Sequence, residues 1–570
     1  MENSEYAQIF EEIADLLEIE GANPFRIRAY RNGARTLETL SQPLESLLQD
    51  EKSRLEDLPG IGKDLAAKIR ELFETGELEF LKELRQQVPA TLIEIMSIPG
   101  LGPKRARQLW EGLEVTSIDE LEAAARNGAL DALPGFGKTL ETRILKGIAE
   151  IKARAGRFKL SDADSFVDPL LAHLKKTDGL DDLAVAGSYR RRCETVGDID
   201  ILATTSNALP LMEHFVAYRD VHEVLAKGPT KSSVRLKKGL QVDLRVVPGE
   251  SYGAAMVYFT GSKAHNIVIR GIGRERGLKI NEYGVFRGEQ LISSQTEAEV
   301  FAAIDLPWIP PELREDRGEV AAAQERRLPK LLEMNDIRGD LQMHTTFSDG
   351  KNSVAEMVDA CRERSYEYMA ITDHSPALAM AGVKREDLFK QYKEIDKLQE
   401  RFDDIRILKS AEVDILDDGS LDLSDDLLEI MDIVVISVHS KFNLSRSEQT
   451  SRITRAMQHP RVNILAHPTG RIINRREPYP VDVEQLVQVA SDHGVILELN
   501  AQPHRLDLRD FHIQMAREAG VKIVISTDAH RTAELGYMRY GIDQARRGWL
   551  EKPHVANTYP LNKFLGLLKK

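Results

Sequence analysis

Hydrophobic and polar residues follow three different patterns along the chain. The first residues, MENSEYAQIFEEIADLLEIE, place Ile and Leu among acids at helical spacing, which predicts an amphipathic helix. Between about 160 and 318, short β-branched runs alternate with polar loops, which predicts a mixed sheet with helices. These runs are DLAVAGS, DIDILAT, LQVDLRVV and AMVYFT. The stretch 306–330 is rich in Pro and charge and indicates a boundary with a linker.

From Asp336 to the C-terminus, short apolar runs recur between segments long enough for helices. Six of the seven runs end in or near a His, Asp or Glu. They read IRGDLQMH, YEYMAITDH, IRILKSAEV, DIVVISVH, VNILAHP, GVILELN and VKIVISTDAH. Parallel strands that present polar ligands at their C-terminal ends are typical of a β/α barrel. The pattern predicts a distorted (β/α)7 barrel here, and a multidomain chain of α+β and α/β class.

The length, the apolar runs and the cysteine content of the chain limit the kinds of protein it can be. A chain of 570 residues exceeds what one hydrophobic core organises, so we expect three or four domains. No apolar run approaches the roughly 18 residues that cross a bilayer, so no membrane association is expected. Only Cys193 and Cys361 are present, which excludes a disulfide framework and predicts a cytoplasmic protein. No coiled-coil pattern is present, so we expect a monomer.

Three short motifs, LPGIGK, IPGLGPK and LPGFGK, repeat in the N-terminal part of the chain. In each, the first Gly permits a tight turn and the second leaves N–H groups bare at a helix start, beside a lysine. This is the pattern of helix-hairpin-helix motifs, which bind a nucleic-acid backbone without reading bases. One copy would indicate only a helix connector, but three favour DNA binding, although the net charge of −14 confines it to local clusters. The residues predicted to contact DNA are Gly60, Gly62, Lys63, Gly100, Gly102, Lys104, Gly135, Gly137 and Lys138.

Three carboxylates in the central region form the first candidate metal site. Asp198 and Asp200 alternate along one predicted strand and so face the same side, and Asp243 lies on another. Converging carboxylates repel one another unless cations such as Mg²⁺ or Mn²⁺ neutralise them. Two such ions activate a hydroxyl and stabilise a pyrophosphate leaving group.

The segment GSYRRRCE, just before these aspartates, supplies groups for a phosphate. Gly187 and Ser188 offer N–H and hydroxyl donors, and Arg191 offers a guanidinium. Two aspartates spaced by one residue alone favour ordinary surface carboxylates in a turn. Their combination with Gly187-Ser188 and a third strand aspartate favours two-metal phosphate chemistry.

The C-terminal runs supply a second candidate metal site. A lone His usually satisfies a structural role, but five at strand ends favour metal binding. Nitrogen and oxygen ligands without thiolate hold two or three ions such as Mn²⁺, Zn²⁺ or Fe²⁺, and clustered ions of this kind hydrolyse phosphoesters. The eight predicted ligands are His344, Asp349, His374, Glu412, His439, His467, Asp528 and His530.

Taken together, these motifs resemble a known family. The motif GS-x(9)-DID, with VDLRVV, YFTGS and LKINEYGVF, is similar to the nucleotidyltransferase core of family X DNA polymerases. The hairpins before it and the His-rich region after it resemble the bacterial and archaeal form with a C-terminal polymerase-and-histidinol-phosphatase (PHP) domain. The resemblance implies a lyase-like domain with a hairpin (1–80), a fingers-like hairpin region (81–158), a palm (159–250), a thumb (251–318), a linker (319–335) and a PHP domain (336–570).

The resemblance also implies roles for single residues. Asp198 and Asp200 would bind both catalytic metals, and Asp243 would face the primer 3′-OH as base or ligand. Lys68 matches a lysine that forms a Schiff base, although a helix lysine is often only solvated. Residues implied in binding the incoming dNTP are Gly187, Ser188, Arg191, Tyr258, Phe259, Gly261, Asn266 and Arg270. For Tyr258 and Phe259, core packing is the alternative.

In PHP domains the same eight C-terminal residues are implied as ligands of a trinuclear phosphoesterase centre. The chain departs from the family once, because the usual His-x-His reads Gln342-Met343-His344 here. An amide oxygen is a poorer ligand than imidazole for borderline metals. The substitution raises the alternative of a vestigial barrel, but the other ligands are intact, which favours an active centre. The resemblance implies that this activity is a 3′–5′ exonuclease, with abasic-site endonuclease activity as a further implication.

The sequence therefore predicts a DNA repair enzyme that fills short gaps from dNTPs on gapped or primer-template DNA and trims 3′ ends. Other repair proteins are predicted as further partners. One alternative is a DNA-binding scaffold with degenerate catalytic centres that recruits repair proteins. Another is a template-independent nucleotidyltransferase, which would leave the hairpins and YFTGS unexplained.

Overall fold

The computed structural model describes residues 3–38, 44–49, 54–96, 98, 100–154, 156–378 and 381–568. Pro99, in the second hairpin motif, lies outside the described residues. The chain divides into two compact units, Met1–Ala155 and Gly156–Lys570. Within the described ranges, no helix combines the length and hydrophobicity needed to cross a bilayer.

The first unit is helical and has a single hydrophobic core that runs from Tyr6 to Ile148. The two parts predicted at 1–80 and 81–158 thus share one core. In each hairpin the apolar residue between the glycines, Ile61, Leu101 or Phe136, is buried in that core. The helices are α1 (Asn3–Glu20), α2 (Pro24–Glu38), α3 (Leu44–Gln49), α4 (Lys63–Thr75), α5 (Glu79–Gln87), α6 (Leu92–Met96), α7 (Pro103–Leu113), α8 (Ile118–Arg126) and α9 (Lys138–Arg154).

The second unit begins with a five-stranded mixed sheet of order β2-β4-β7-β6-β5, covered by helices α10 and α12. Strands β4 and β7 are parallel, whereas the other neighbours are antiparallel. Short strands β1 and β3 pair beside it. The elements are β1 (Phe158–Lys159), α10 (Leu160–Leu174), β2 (Leu180–Val185), α11 (Gly187–Arg190), β3 (Thr195–Val196), β4 (Asp198–Thr205), α12 (Ala208–Val216), β5 (Val221–Lys227), β6 (Lys231–Leu236) and β7 (Gln241–Val246).

A smaller subdomain follows, with an antiparallel sheet of order β10-β9-β8. The run AMVYFT, predicted as a strand, lies in helix α13, because a short run that is apolar on every side suits a buried helix equally well. The stretch 319–335, predicted as a linker, begins with helix α16, whose Val320, Ala322 and Ala323 pack into the subdomain core. The elements are α13 (Tyr252–Thr260), α14 (Lys263–Glu275), β8 (Lys279–Asn281), β9 (Gly284–Arg287), β10 (Gln290–Ser293), α15 (Glu297–Ala302) and α16 (Glu319–Gln324).

The C-terminal region alternates parallel strands with helices. The seven predicted runs form eight strands, because Ser410 and Ala411 interrupt the third run between β13 and β14. The elements are β11 (Gly339–Asp340), α17 (Val354–Glu363), β12 (Tyr368–Ile371), α18 (Arg385–Gln399), β13 (Arg406–Lys409), β14 (Glu412–Asp414), α19 (Asp425–Glu429), β15 (Val435–Ser437), α20 (Arg446–Met457), β16 (Ile464–Leu465), α21 (Val483–His493), β17 (Ile496–Asn500), α22 (Asp510–Glu518), β18 (Ile523–Ser526), α23 (Met538–Arg547) and α24 (Leu561–Leu565).

The predicted closed barrel is not confirmed. The described C-terminal strands form two parallel sheets, of order β11-β12-β13 and β14-β15-β16-β17-β18. Among the described residues, the two sheets are connected by the isolated bridges Met343–Ala529 and His374–Glu412. The strands are only two to five residues long. The hydrogen-bonded ladder between neighbouring strands therefore ends where each strand ends and the chain presents its polar side chains.

Candidate active sites

The three predicted carboxylates of the central region lie on the parallel strands β4 and β7. The register pairs Asp200 with Asp243, so these side chains project from the same side of adjacent strands. Asp198 lies two residues before Asp200 on β4 and shares its face. Lys231 on the neighbouring β6 approaches the carboxylate of Asp243, with Nζ 3.4 Å from Oδ2. The sheet therefore brings the three carboxylates to one edge.

The electrostatics of this edge suit cation binding. Burial, followed by the like charges of Asp198 and Asp243, raises the pKa of Asp200 to about 6. Gly187 has φ of +65°, and a Cβ atom there would lie 2.9 Å from Oδ2 of Asp200. The backbone thus approaches the carboxylates as closely as only glycine permits. An all-oxygen donor set with excess negative charge fits Mg²⁺ or Mn²⁺.

The raised pKa of Asp200 predicts a stability cost in the metal-free protein. Ionising this carboxyl disfavours the folded state as the pH rises from 3.8 through about 6. We expect Asp200→Asn to increase the free energy of unfolding at pH 7 by about 1–2 kcal/mol, less than the full shift because the side chain is partly solvated. The gain should vanish below a pH of about 4, where both the folded and unfolded carboxyls are protonated.

Urea denaturation in EDTA at several pH values measures this gain. Asp181→Asn, at an exposed position of β2, is the matched control and should change stability by less than about 0.5 kcal/mol. A stability gain that does not depend on pH would contradict the electrostatic cause.

The predicted phosphate loop lies beside these carboxylates. Gly187 begins the short helix α11, and the carbonyl of Ser188 accepts a hydrogen bond from the N–H of Cys193, at 3.1 Å, which closes the loop. Arg191 is 14% exposed, and its Nη1 donates to the carbonyl of Thr260 at 2.6 Å. The loop therefore contacts the turn that ends α13, where the other predicted nucleotide residues lie.

That turn brings together Tyr258, Phe259 and Gly261. The rings of Tyr258 and Phe259 meet edge to face at 5.1 Å, and both are half-buried. A Cβ atom at Gly261 would lie 3.3 Å from Nη1 of Arg191. Asn266 on α14 is occupied locally, because its Nδ2 donates to the carbonyl of Tyr258 at 2.7 Å.

Arg270 is exposed on α14, one helical turn beyond Asn266. Arg245 is a contact of this turn that the sequence did not suggest, since its guanidinium carbon lies 4.7 Å from the Phe259 ring centre. The sequence could have indicated this contact, because side chains alternate along β7 and Arg245, two residues after Asp243, therefore lies on the same face of the sheet.

The predicted metal ligands of the C-terminal region lie close together in the structure. Among the described residues, the groups of three or more possible ligands whose atoms lie within 4.8 Å of one another all belong to the C-terminal region. Asp198, Asp200 and Asp243 do not form such a group among the described residues. The three groups are His344, Asp349, His374 and His530; His374, Glu412 and His439; and His344, Glu412 and Asp528. They overlap, so they form one centre.

Glu412 is the central carboxylate of this centre. Its oxygens lie 2.8 Å from Nε2 of His467, 3.2 Å from Nδ1 of His374 and 3.5 Å from Nε2 of His439. His467 is the one predicted ligand outside the three tight groups, and its hydrogen bond to Glu412 attaches it to them. The structure therefore brings together all eight predicted ligands.

The buried imidazoles of this centre fit metal ions. Both ring nitrogens of His344, and Nδ1 of His374 and of His467, make no hydrogen bond although they are buried. Burial alone would lower the pKa of His374, but Glu412 and Asp349 raise it to about 9. Buried ring nitrogens that make no hydrogen bond and lie close to carboxylates are a usual donor set for divalent ions, and Nδ1 of His374 lies 3.2 Å from Glu412 in this way.

Several supporting residues were not found from the sequence. Asp414 contacts Nδ1 of His439 at 3.1 Å and so orients its ring. Asn500 donates to Oδ2 of Asp528 at 3.0 Å. The buried Glu498 accepts the N–H of His467, and burial raises its pKa well above the usual range. Asp414 and Asn500 are the last residues of strands β14 and β17. The same position at the end of an apolar run identified the predicted ligands in the sequence.

Gln342 is buried, and neither its Oε1 nor its Nε2 has a hydrogen-bond partner. It lies two residues before His344 in an extended segment, so both side chains project to the same side. The side-chain amide of Gln342 is therefore buried without a hydrogen-bond partner among the described residues.

The predicted DNA-contacting residues lie on the surface of the N-terminal unit. Gly60, Gly100 and Gly135 have φ of +76°, +97° and +84°, as the motif predicts. No atom lies within 4 Å of a Cβ built at Gly62, Gly102 or Gly137. Lys63, Lys104 and Lys138 are exposed at the starts of α4, α7 and α9.

Lys68, on α4, is only 14% exposed. Its Nζ lies 2.5 Å from Oδ1 of Asp64 and 5.2 Å from the centre of the Phe80 ring. Arg26 covers the same ring at 4.8 Å. The lysine is therefore paired and partly enclosed.

Comparison with known protein families matches four stretches of the chain. Residues 1–78 match a helix-hairpin-helix domain, 92–150 a SAM-like helix-hairpin-helix tandem, 255–315 the DNA polymerase beta thumb, and 340–533 the PHP domain. The DNA polymerase/3′-5′ exonuclease PolX of Bacillus subtilis is 39% identical, with 100% of both chains covered.

Two further relatives match about a third of the chain. A probable phosphatase of Thermoanaerobacter sp. is 29% identical over 38% of this chain and 90% of that protein. A probable phosphatase of Caldanaerobacter subterraneus is 28% identical over 35% of this chain and 80% of that protein. Together with the match over the full length, these findings show that the chain belongs to the family X DNA polymerases with helix-hairpin-helix motifs, a polymerase beta thumb and a C-terminal PHP domain.

Proposed function

We propose that the chain is a DNA polymerase with 3′–5′ exonuclease activity that fills short gaps during DNA repair. The observation that carries the proposal is the pairing of Asp200 with Asp243 on parallel strands, beside Gly187 and Arg191. Full-length similarity to the Bacillus subtilis polymerase and exonuclease supports it.

In the proposed palm site, Asp198, Asp200 and Asp243 would hold Mg²⁺ or Mn²⁺. When bound, these ions favour in-line attack by a 3′-OH on the α-phosphate of a dNTP and neutralise the charge of the pyrophosphate. Gly187 and Ser188 bind phosphate oxygens, and Arg191 clamps the triphosphate. The turn from Tyr258 to Gly261 contacts the sugar, and Asn266 and Arg270 face the base pair.

In the proposed exonuclease site, the eight clustered ligands would hold two or three ions such as Mn²⁺, Zn²⁺ or Fe²⁺. When bound, such ions activate water towards a phosphodiester. Asp414 and Asn500 hold His439 and Asp528 in place. The buried imidazole nitrogens that make no hydrogen bond support metal binding and argue against a vestigial site.

A gapped-duplex assay tests the proposal directly. With a labelled primer, we expect growth in dNTP and shortening without it, in Mg²⁺ and in Mn²⁺. A scaffold with degenerate centres would do neither. A template-independent nucleotidyltransferase would extend a single strand as fast as the gapped duplex, which would contradict the proposal.

We further propose that the three hairpins bind the DNA backbone through Lys63, Lys104 and Lys138. Replacing all three with Ala should weaken binding to duplexes of any sequence. The slope of log affinity against log salt should fall by roughly 3, because each phosphate contact contributes about 0.9. Fluorescence anisotropy across a salt series measures both effects.

The matched control removes three positive charges from another part of the surface. Lys390, Lys393 and Lys397 are exposed on α18. Their triple Ala variant should keep the salt slope of the parent protein. An equal loss of slope in both variants would contradict a specific role for the hairpins.

Lyase activity at Lys68 stays a prediction. The amine of Lys68 is paired with Asp64, whereas a Schiff-base nucleophile must present its nitrogen to the sugar carbon. A cytoplasmic, monomeric protein with repair proteins as partners likewise stays a prediction. Both cysteines are free, which agrees with a reducing compartment.

A further inference from the structure

The loop after Gly187-Ser188 carries three consecutive arginines, and each is held by a carboxylate that is distant from it in the chain. Arg190 binds Glu297 of the thumb through two hydrogen bonds of 2.8 Å. Arg191 donates from Nε to Glu315 at 3.0 Å. Arg192 donates from Nε to Asp543 of the PHP domain at 2.8 Å. The loop is therefore anchored on both the thumb and the PHP domain.

Arg547, the last residue of α23 in the PHP domain, reaches the centre of this loop. Its side chain is 6% exposed, and Nη1 donates to the carbonyl of Arg191 at 2.8 Å and to Oε1 of Glu315 at 2.9 Å. Nη2 donates to Asp510 at 2.8 Å. Only the planar fork of an arginine presents several fixed donors to acceptors in different directions.

Glu315 connects the two arginines. Its Oε1 accepts from Arg547 and from Nε of Arg191, so both guanidinium groups share one oxygen. Burial alone would raise the pKa of Glu315, but Arg547 and Arg191 lower it. Because the positive charge of Arg547 partly neutralises the Glu315 carboxylate, Glu315 attracts the Arg191 guanidinium less strongly than it would without Arg547.

We propose that Arg547 is a positioning residue for the nucleotide site of the palm, acting through Glu315 and the backbone of Arg191. The proposal rests on the proposed function, which gives Arg191 the triphosphate. Without Arg547, the backbone at Arg191 loses a donor and Glu315 draws the Arg191 guanidinium towards itself. The PHP domain is thus a structural part of the polymerase site.

The test is steady-state single-nucleotide incorporation by the full-length protein. We expect Arg547→Met to raise the KM for dNTP about tenfold with a much smaller change in kcat, because the clamp is displaced while the metal-binding carboxylates stay in place. Exonuclease activity of the same preparation should be unchanged. Replacing Glu315 with Gln in the Arg547→Met variant should lower the KM for dNTP part of the way back to the value of the parent protein.

Arg546→Met is the matched control. Arg546 lies next to Arg547 on α23 and ties the PHP domain to Glu312 at 2.8 Å, without contacting the phosphate loop. It should lower the melting temperature by a similar amount and leave the KM for dNTP unchanged. An equal rise of KM in both variants would mean general loosening and would overturn the proposal.

Arg191→Ala separates this inference from the proposed function. If Arg191→Ala raises the KM and Arg547→Met does not, the positioning role is wrong while the nucleotide site stands. If Arg191→Ala leaves the KM unchanged, the assignment of the nucleotide site is wrong and the positioning role falls with it. Should Arg547→Met fail to fold, Arg547→Lys, which keeps the charge but not the fork, should show the same rise of KM.

Discussion

Replacing Asp198 and Asp200 with Asn should reduce primer extension at least about 10³-fold, since loss of both metal ligands removes several kcal/mol of transition-state stabilisation. The exonuclease should keep its activity, because its ligands lie on other strands of the C-terminal region. Asn preserves the size of each side chain and removes the repulsion around Asp200, so the variant should be folded. Extension and shortening of one labelled primer measure both activities.

The control for this variant is Glu223→Gln on the edge strand β5 of the same sheet. Glu223 is exposed and pairs with Arg235 at 3.1 Å, away from the aspartates. It should leave extension unchanged. Extension that persists in the double aspartate variant would refute the palm as the site of polymerisation.

Replacing His344 and His374 with Ala should abolish trimming of 3′ ends while extension persists. His344 belongs to two of the three ligand groups, with Nε2 3.1 Å from Oδ1 of Asp528, and His374 also belongs to two. Their loss leaves each group with too few ligands to hold an ion. We expect trimming to fall at least about 10³-fold and bound metal to fall by at least about one ion per chain.

Elemental analysis of dialysed protein gives the metal content independently of activity. The control replaces His459 and His493, which lie outside the three ligand groups, with Ala. Its metal content and trimming should match the parent protein. Trimming that survives repurification of the His344 and His374 variant would place the nuclease elsewhere.

Local patterns in the sequence were sufficient to find most candidate ligands. The alternation of Asp198 and Asp200 on a strand, and the polar ends of the C-terminal runs, depend on neighbouring residues alone. The hairpin motifs are equally local, because the backbone of Gly60, Gly100 and Gly135 dictates each turn. The structure brings the eight C-terminal residues close together and gives the first glycine of each hairpin a positive φ.

Other features depended on packing between distant segments. Helix α13 was misread as a strand because a run that is apolar on all sides has no period to identify it. The closed barrel was inferred from the number of runs, but strand pairing depends on register, which the runs do not contain. Helix α16 occupies a predicted linker because its small apolar residues cover the thumb core.

The amino-acid sequence alone determined the chemistry available to the chain: which carboxylates, imidazoles, lysines and glycines occur at strand ends and turns. Only the tertiary structure decided which of them meet. The pairing of Asp200 with Asp243, and the contacts of Arg547 with Glu315 and Arg191, join residues far apart in the chain. Such contacts follow from how strands align and helices pack, and the local spacing of residues carries no information about them.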